Sequence, residues 1–146
     1  MKKLFLLFII LVSCSAPVRN DTLLKQELIK TDKDFCQMNI EKGMKAAFIF
    51  YAADEVIKMR DGRFPIFGKQ DLIKSFEDVP DSHIHLTWAP VKADVSDSLG
   101  YTFGKWQFKI DGRDTIDYGV YVTVWKRQPD KTWKYVLDGG NSTPKP

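Results

Sequence analysis

GVYVTVWKRQPDKTWKYVLDGGN, residues 119–141, is the stretch from which the rest of the chain is read. Val and aromatic residues alternate with smaller or polar ones on both sides of the polar segment Gln128–Thr132. That pattern predicts two antiparallel strands joined by a short turn. Alternation gives each strand two faces. Tyr118 falls in step with Ile116, Val120, Val122 and Val124, a face with the character of plain packing. Tyr121 and Trp125 share the other face with Asp117, Gly119 and Thr123, a mixed one. A period of two does not say which face turns inward. Trp125 and Trp133 bracket the turn and are expected close together across the two strands, pinning the register.

Working upstream, HIHLTWAPVKADVSD (83–97) and GYTFGKWQFKI (100–110) read as two more long strands, with Pro90 marking a bulge or a sheet edge. A turn at Asp111–Arg113 leads into the strand DTIDYGVYVTVWKR (114–127). Ahead of these, DTLLKQELIKTDKDFCQMNIEKG (21–43) repeats Leu24, Leu28, Phe35, Met38 and Ile40 near helical spacing, and Gly43 suits its C-terminal cap. MKAAFIFYAADE (44–55) reads as a second helix, EVIKM (55–59) as a short strand and RDGRFPIFG (60–68) as turn and loop. KQDLIKSFEDV (69–79) reads as a third helix stopped by Pro80. Helices gathered at the start and strands at the end predict an α+β domain: a strongly bent antiparallel sheet, cone-shaped, covered by three N-terminal helices.

The chain opens differently. Lys2 and Lys3 precede an unbroken apolar run, Leu4–Val12. As a helix that run spans about 14 Å, against roughly 30 Å of bilayer hydrocarbon, so it reads as a secretory signal and not as a membrane anchor. Leu11–Cys14 then resembles a bacterial lipobox, which implies lipid on Cys14. Residues 1–13 are therefore expected to be a lipoprotein signal peptide, 14–21 a tether, 22–141 the domain and 142–146 a disordered tail. The implied location is the bacterial cell envelope, facing the periplasm or exterior, with the membrane as a partner through Cys14. Cys36 is then left without a partner in the chain and is expected to be buried. The formal charge of +3 falls to near +1 once Lys2 and Lys3 are removed. With no charge run and no basic stripe, nucleic acid is not an expected partner.

FIFYAADEVIKM, FGKQDLIKSF, LTWAPVKADVSDSLGYTFGKW and above all YGVYVTVWKRQPDKTWKYVLDGGN resemble the nuclear transport factor 2-like superfamily, over roughly Thr22–Asn141. This superfamily includes ketosteroid isomerases, scytalone dehydratase and SnoaL-type cyclases, and the nearest likeness is to SnoaL-like bacterial domains. The resemblance implies a cone with an interior. It does not carry the isomerase chemistry across. The base position falls at or near Met59 and the oxyanion-hole tyrosine near Phe35 or Cys36, and none of these can do that work. Scytalone dehydratase uses His with Asp and Tyr; here His83 and His85 share one strand face, but no third ligand stands at a recognisable spacing, so no metal is expected. No cofactor is implied.

A cone interior lined by strand aromatics makes Trp88, Tyr101, Tyr121 and Trp125, with Asp54 and Asp138, the candidate ligand-pocket residues. Arg60 and Arg63 are possible anion contacts. Three functions stay open: binding of a small apolar or aromatic ligand without catalysis; a lyase, isomerase or cyclase using Asp54 or Asp138 with a tyrosine; and a homodimeric interaction module pairing through the outer sheet face.

Overall fold

The computed structural model of the chain describes residues 21–77 and 83–145. Cys14, the expected signal peptide and the tether up to residue 20 lie outside the described residues. Nine elements follow in order: α1 (Asp21–Lys42), α2 (Met44–Tyr51), β1 (Ala52–Arg60), β2 (Arg63–Phe67), α3 (Lys69–Lys74), β3 (Ile84–Ser96), β4 (Leu99–Ile110), β5 (Ile116–Arg127) and β6 (Trp133–Thr143). The six strands form one curved sheet ordered β2-β1-β6-β5-β4-β3. The α+β class is as expected, and the sheet is mixed: β1 runs parallel to β6, while the other neighbours are antiparallel.

Several boundaries differ from the sequence reading, each for a local reason. The second helix stops at Tyr51, and Ala52–Glu55 belong to β1. RDGRFPIFG contains a strand where a loop was expected. Pro65 is tolerated there because β2 is an edge strand, where a residue without an N–H breaks no ladder. Pro90 lies on the opposite edge, next to a bulge between Pro90 and Lys92. β6 runs to Thr143, two residues beyond the expected domain end. Gly43 takes φ 85 between α1 and α2, a left-handed turn that favours glycine; its N–H closes α1 on the Asn39 carbonyl at 3.0 Å.

Leu28, Asp32, Phe35 and Asn39 form the buried stripe of α1, at helical spacing. They meet the inner face of the sheet, where Trp125 and Tyr135 are fully buried. Phe35 sits at the centre, with ring centroids 4.8 Å from Phe48, 4.7 Å from Trp88 and 5.7 Å from Tyr135. The inward face of β5 is thus the mixed one, Tyr121, Thr123 and Trp125. Tyr118, Val120, Val122 and Val124 look outward and stay half-buried. Tyr121 and Trp125 are thus on the inner face and not on the outer one through which a dimer would pair: an aromatic row beside buried hydroxyls packs under α1.

Candidate functional site

Glycines on the inner face decide where the large rings can lie. A Cβ at Gly119 would sit 2.2 Å from the Trp106 indole, and one at Gly104 would sit 2.5 Å from the Tyr121 ring. Two side chains therefore lie flat against neighbouring backbone. Between that layer and the helices is a cavity of about 290 Å³. Its apolar wall includes Phe35, Phe48, Trp88, Trp106, Phe108 and Tyr121; Lys58, Thr123 and Asp138 form a linked polar end, and Asp61, Asn141 and Ser142 also line it. The volume is at the low end of the range for small-molecule pockets.

Two hydrogen-bonded groups hold this wall. The first is built on Asp32, fully buried on α1. One of its carboxylate oxygens accepts from Trp88 Nε1 at 2.8 Å and the other from the Tyr121 hydroxyl at 2.8 Å. Burial raises the Asp32 carboxyl above its usual range, against the lowering effect of hydrogen bonds from Thr102, Tyr121 and Trp88. The Tyr121 phenol is pushed up as well, by burial first and then by the Asp32 charge, so it stays a protonated donor. Two aromatic side chains of the cavity wall are thereby fixed by one helical carboxylate. The Trp88 backbone N–H also reaches Cys36 Sγ at 3.3 Å, and Cys36 is buried with its thiol pKa raised by burial.

The second group joins neighbouring strands. Asp138 on β6 accepts from the Thr123 hydroxyl of β5 at 2.7 Å through one oxygen and from Lys58 Nζ of β1 through the other. The Lys58 ammonium also lies 4.6 Å from the Phe48 ring centroid. The parallel pairing of β1 with β6 places Lys58 opposite Asp138, so this ion pair exists only because β1 joins the sheet there.

Trp88, Tyr121 and Asp138 line the cavity. Three other expected pocket residues do not. Asp54 is exposed on β1, because α2 ends early and the strand turns that side chain to solvent. Tyr101 lies on the outer side of β4, opposite Val124, and borders a separate surface groove with Asp94 and Leu99. Trp125 is wholly buried in the core, where its Nε1 donates to Thr102 at 2.9 Å. Phe35 and Met59, at the positions implied for isomerase chemistry, both line the cavity, and neither side chain can transfer a proton. His85 is exposed with Nε2 2.8 Å from Asp111, and no group of three or more metal-ligating side chains occurs among the described residues. Lys58 and Asp32 were not singled out from the sequence. Asp32 had a signal: it falls on the 28, 32, 35, 39 stripe that the helix buries, where a charge is out of place.

No protein-family model matches the chain, and no curated protein matches it in sequence. Solved structures do match in fold. A nuclear transport factor 2-like protein of unknown function from Pseudomonas putida shares 11% identity at TM-score 0.71, over 84% of this chain and 88% of that one. A ketosteroid isomerase-like protein from Erwinia carotovora atroseptica shares 12% identity at TM-score 0.65, over 87% and 100%. A protein from Catenulispora acidiphila in complex with S-DNPA shares 11% identity at TM-score 0.64, over 83% and 94%. The chain therefore has the nuclear transport factor 2-like cone fold that ketosteroid isomerase-like proteins share. At these identities the likeness speaks for fold alone.

Proposed function

We propose that this domain binds a small apolar or aromatic molecule in the cone, on a chain held at the bacterial cell envelope by lipid on Cys14. The observation that carries the binding reading is the cavity: six aromatic side chains around about 290 Å³, with a partly buried ion pair in its lining. Such a mix of apolar wall and a few fixed polar groups is what small-molecule sites are made of. The complex with S-DNPA in a protein of the same fold supports the reading by analogy. An enzymatic reading is weaker. Asp138 and Tyr121 face one cavity, but both Asp138 oxygens and the Tyr121 proton already have partners. Native mass spectrometry of the domain purified from its own envelope tests the proposal: a bound molecule of defined mass, lost when Tyr121 is changed to Ala, is expected. Protein that carries nothing and binds none of a panel of aromatic compounds would count against it.

The tether rests on the lipobox-like Leu11–Cys14. Cys14→Ala should move the protein from membrane to soluble fractions and remove an acyl mass; persistence in the membrane without any acyl group would overturn it. The outer sheet face favours one further reading, pairing with a second copy of the chain. Leu99, Phe103 and Ile116 are exposed there beside the half-buried row Tyr118, Val120, Val122 and Val124.

A further inference from the structure

We infer that the cavity takes a neutral, flat apolar molecule bearing a hydroxyl group, held by Lys58, Thr123 and Asp138; this rests on the ligand-binding reading above. Hydrogen-bonding valences in the wall divide into committed and open ones. The indole N–H of Trp88 goes to Asp32 and that of Trp106 to the Val120 carbonyl at 3.1 Å. The hydroxyl protons of Tyr121 and Thr123 go to Asp32 and Asp138. The aromatic wall therefore offers ring faces and no donor. A hydroxyl whose proton is committed still has a lone pair to accept with, and a carboxylate has about four acceptor sites, of which Asp138 uses two. An ammonium has three protons, and Lys58 gives one to Asp138. Within the Lys58, Thr123 and Asp138 group the open donors thus belong to Lys58 and the open acceptors to Thr123 and Asp138; Asp61, Asn141 and Ser142 also line the cavity, and the Asn141 amide donates to the Ser142 carbonyl. Lys58 and Thr123 bind different oxygens of the same carboxylate, so these donors and acceptors lie within one carboxylate's reach. A ligand group that accepts once and donates once, a hydroxyl, satisfies both.

Charge narrows the class further. Lys58 and Asp138 neutralise each other, both largely shielded from solvent; the other charged residue lining the cavity, Asp61, is exposed. A carboxylate ligand would have to share the ammonium with Asp138, and two like charges at one site disfavour each other strongly. An ammonium ligand would meet Lys58 in the same way. A neutral hydroxyl gains hydrogen bonds to charged partners without removing a further charge from water. The body of the ligand is set by the rings: Trp88 and Trp106 are direct cross-strand partners on the inner face, a surface suited to a flat apolar skeleton.

The test holds the skeleton constant and varies the head group. Calorimetric titration of the domain at pH 7 compares naphthalene, 2-naphthol, 2-naphthoate and 2-naphthylmethylammonium. The expected result is 2-naphthol bound about tenfold or more tighter than naphthalene, with both charged probes no tighter than naphthalene. Lys58→Met should reduce the naphthol-to-naphthalene ratio to within about threefold of one. Because that variant strands Asp138, the double variant Lys58→Met/Asp138→Leu, checked for folding by circular dichroism, should show the same loss of preference. Naphthoate or the ammonium as tightest probe, or naphthol no better than naphthalene, would overturn the hydroxyl assignment while leaving ligand binding intact. Failure of all four probes to bind would overturn both.

Discussion

Asp32 shows how one residue can carry opposing terms. Its three hydrogen-bond donors favour the ionised form, and complete burial disfavours it more, so its folded carboxyl sits above the usual value of 3.8. Between 3.8 and the raised folded value, the native state keeps a proton that the unfolded chain has released. Its contribution to stability is thus fully present below about pH 4 and declines as pH rises across that window. Asp32→Asn keeps the shape and has no proton to lose. Urea midpoints from pH 3 to 8 should show the wild type losing stability relative to the variant as pH rises above about 4; parallel profiles would remove Asp32 as the source. A second residue-scale prediction separates core from outer face. Trp125→Ala deletes a fully buried ring and a bond to Thr102 and should cost roughly 3–5 kcal/mol by chemical denaturation. Trp133, nearly as buried, should cost roughly 3 kcal/mol. Tyr101→Ala on the outer face should cost about 1 kcal/mol or less, and equal losses at all three positions would contradict the assignment of faces.

At the scale of the element, the β5–β6 hairpin explains a register that the turn residues alone mislead. Asp130 Oδ1 accepts from the Thr132 N–H at 3.0 Å and its hydroxyl at 2.7 Å, and Lys131 takes φ 69. The turn therefore lies at the expected residues. Trp125, however, pairs with Tyr135, their centroids 6.1 Å apart, while Trp133 pairs with Arg127. A bulge beside Trp125 shifts the ladder so that Trp125 and Tyr135 both point under α1. The same strand owes the cavity to Gly119. Gly119→Ala should force the Trp106 ring out of its place, at a cost of roughly 1–3 kcal/mol. A crystal structure of the variant should show the indole displaced and the cavity reshaped; an unmoved ring would refute the close-approach account.

At the scale of the whole molecule, a single sheet with helices on its concave side leaves the outer face of β4 and β5 to solvent or to a partner. Sedimentation of the domain at tens of micromolar, about the range for a standard-sized interface, should give a dimer. Val122→Lys, in the middle of the outer row, should return it to monomer, because a like charge would be buried on each side of a two-fold contact. A clean monomer in the wild type would set the pairing aside.

Sequence periodicity alone determined the α+β class, the three helices, the long strands and the edge positions of Pro90, since helical spacing, alternation and a missing N–H act over a few neighbouring residues. The resemblance in Tyr118–Asn141 agrees with the fold observed. Alternation could show that β5 has two faces, but its sign is set by where α1 packs, and that contact joins Asp32 to residues 56 and 89 positions away. Nothing in the local sequence marks Lys58, because its partner, Asp138, is 80 positions distant and reached through the parallel β1–β6 pair. Asp54 looked like a pocket acid because helix and strand patterns overlap in Ala52–Glu55, and burial of Ala52, Ala53 and Val56 resolved them as strand. Asp138 was a pocket candidate from the sequence, but its junction with Lys58 and Thr123 came only from tertiary structure: long-range strand pairing chooses which polar side chains meet, and local sequence patterns carry no record of that choice.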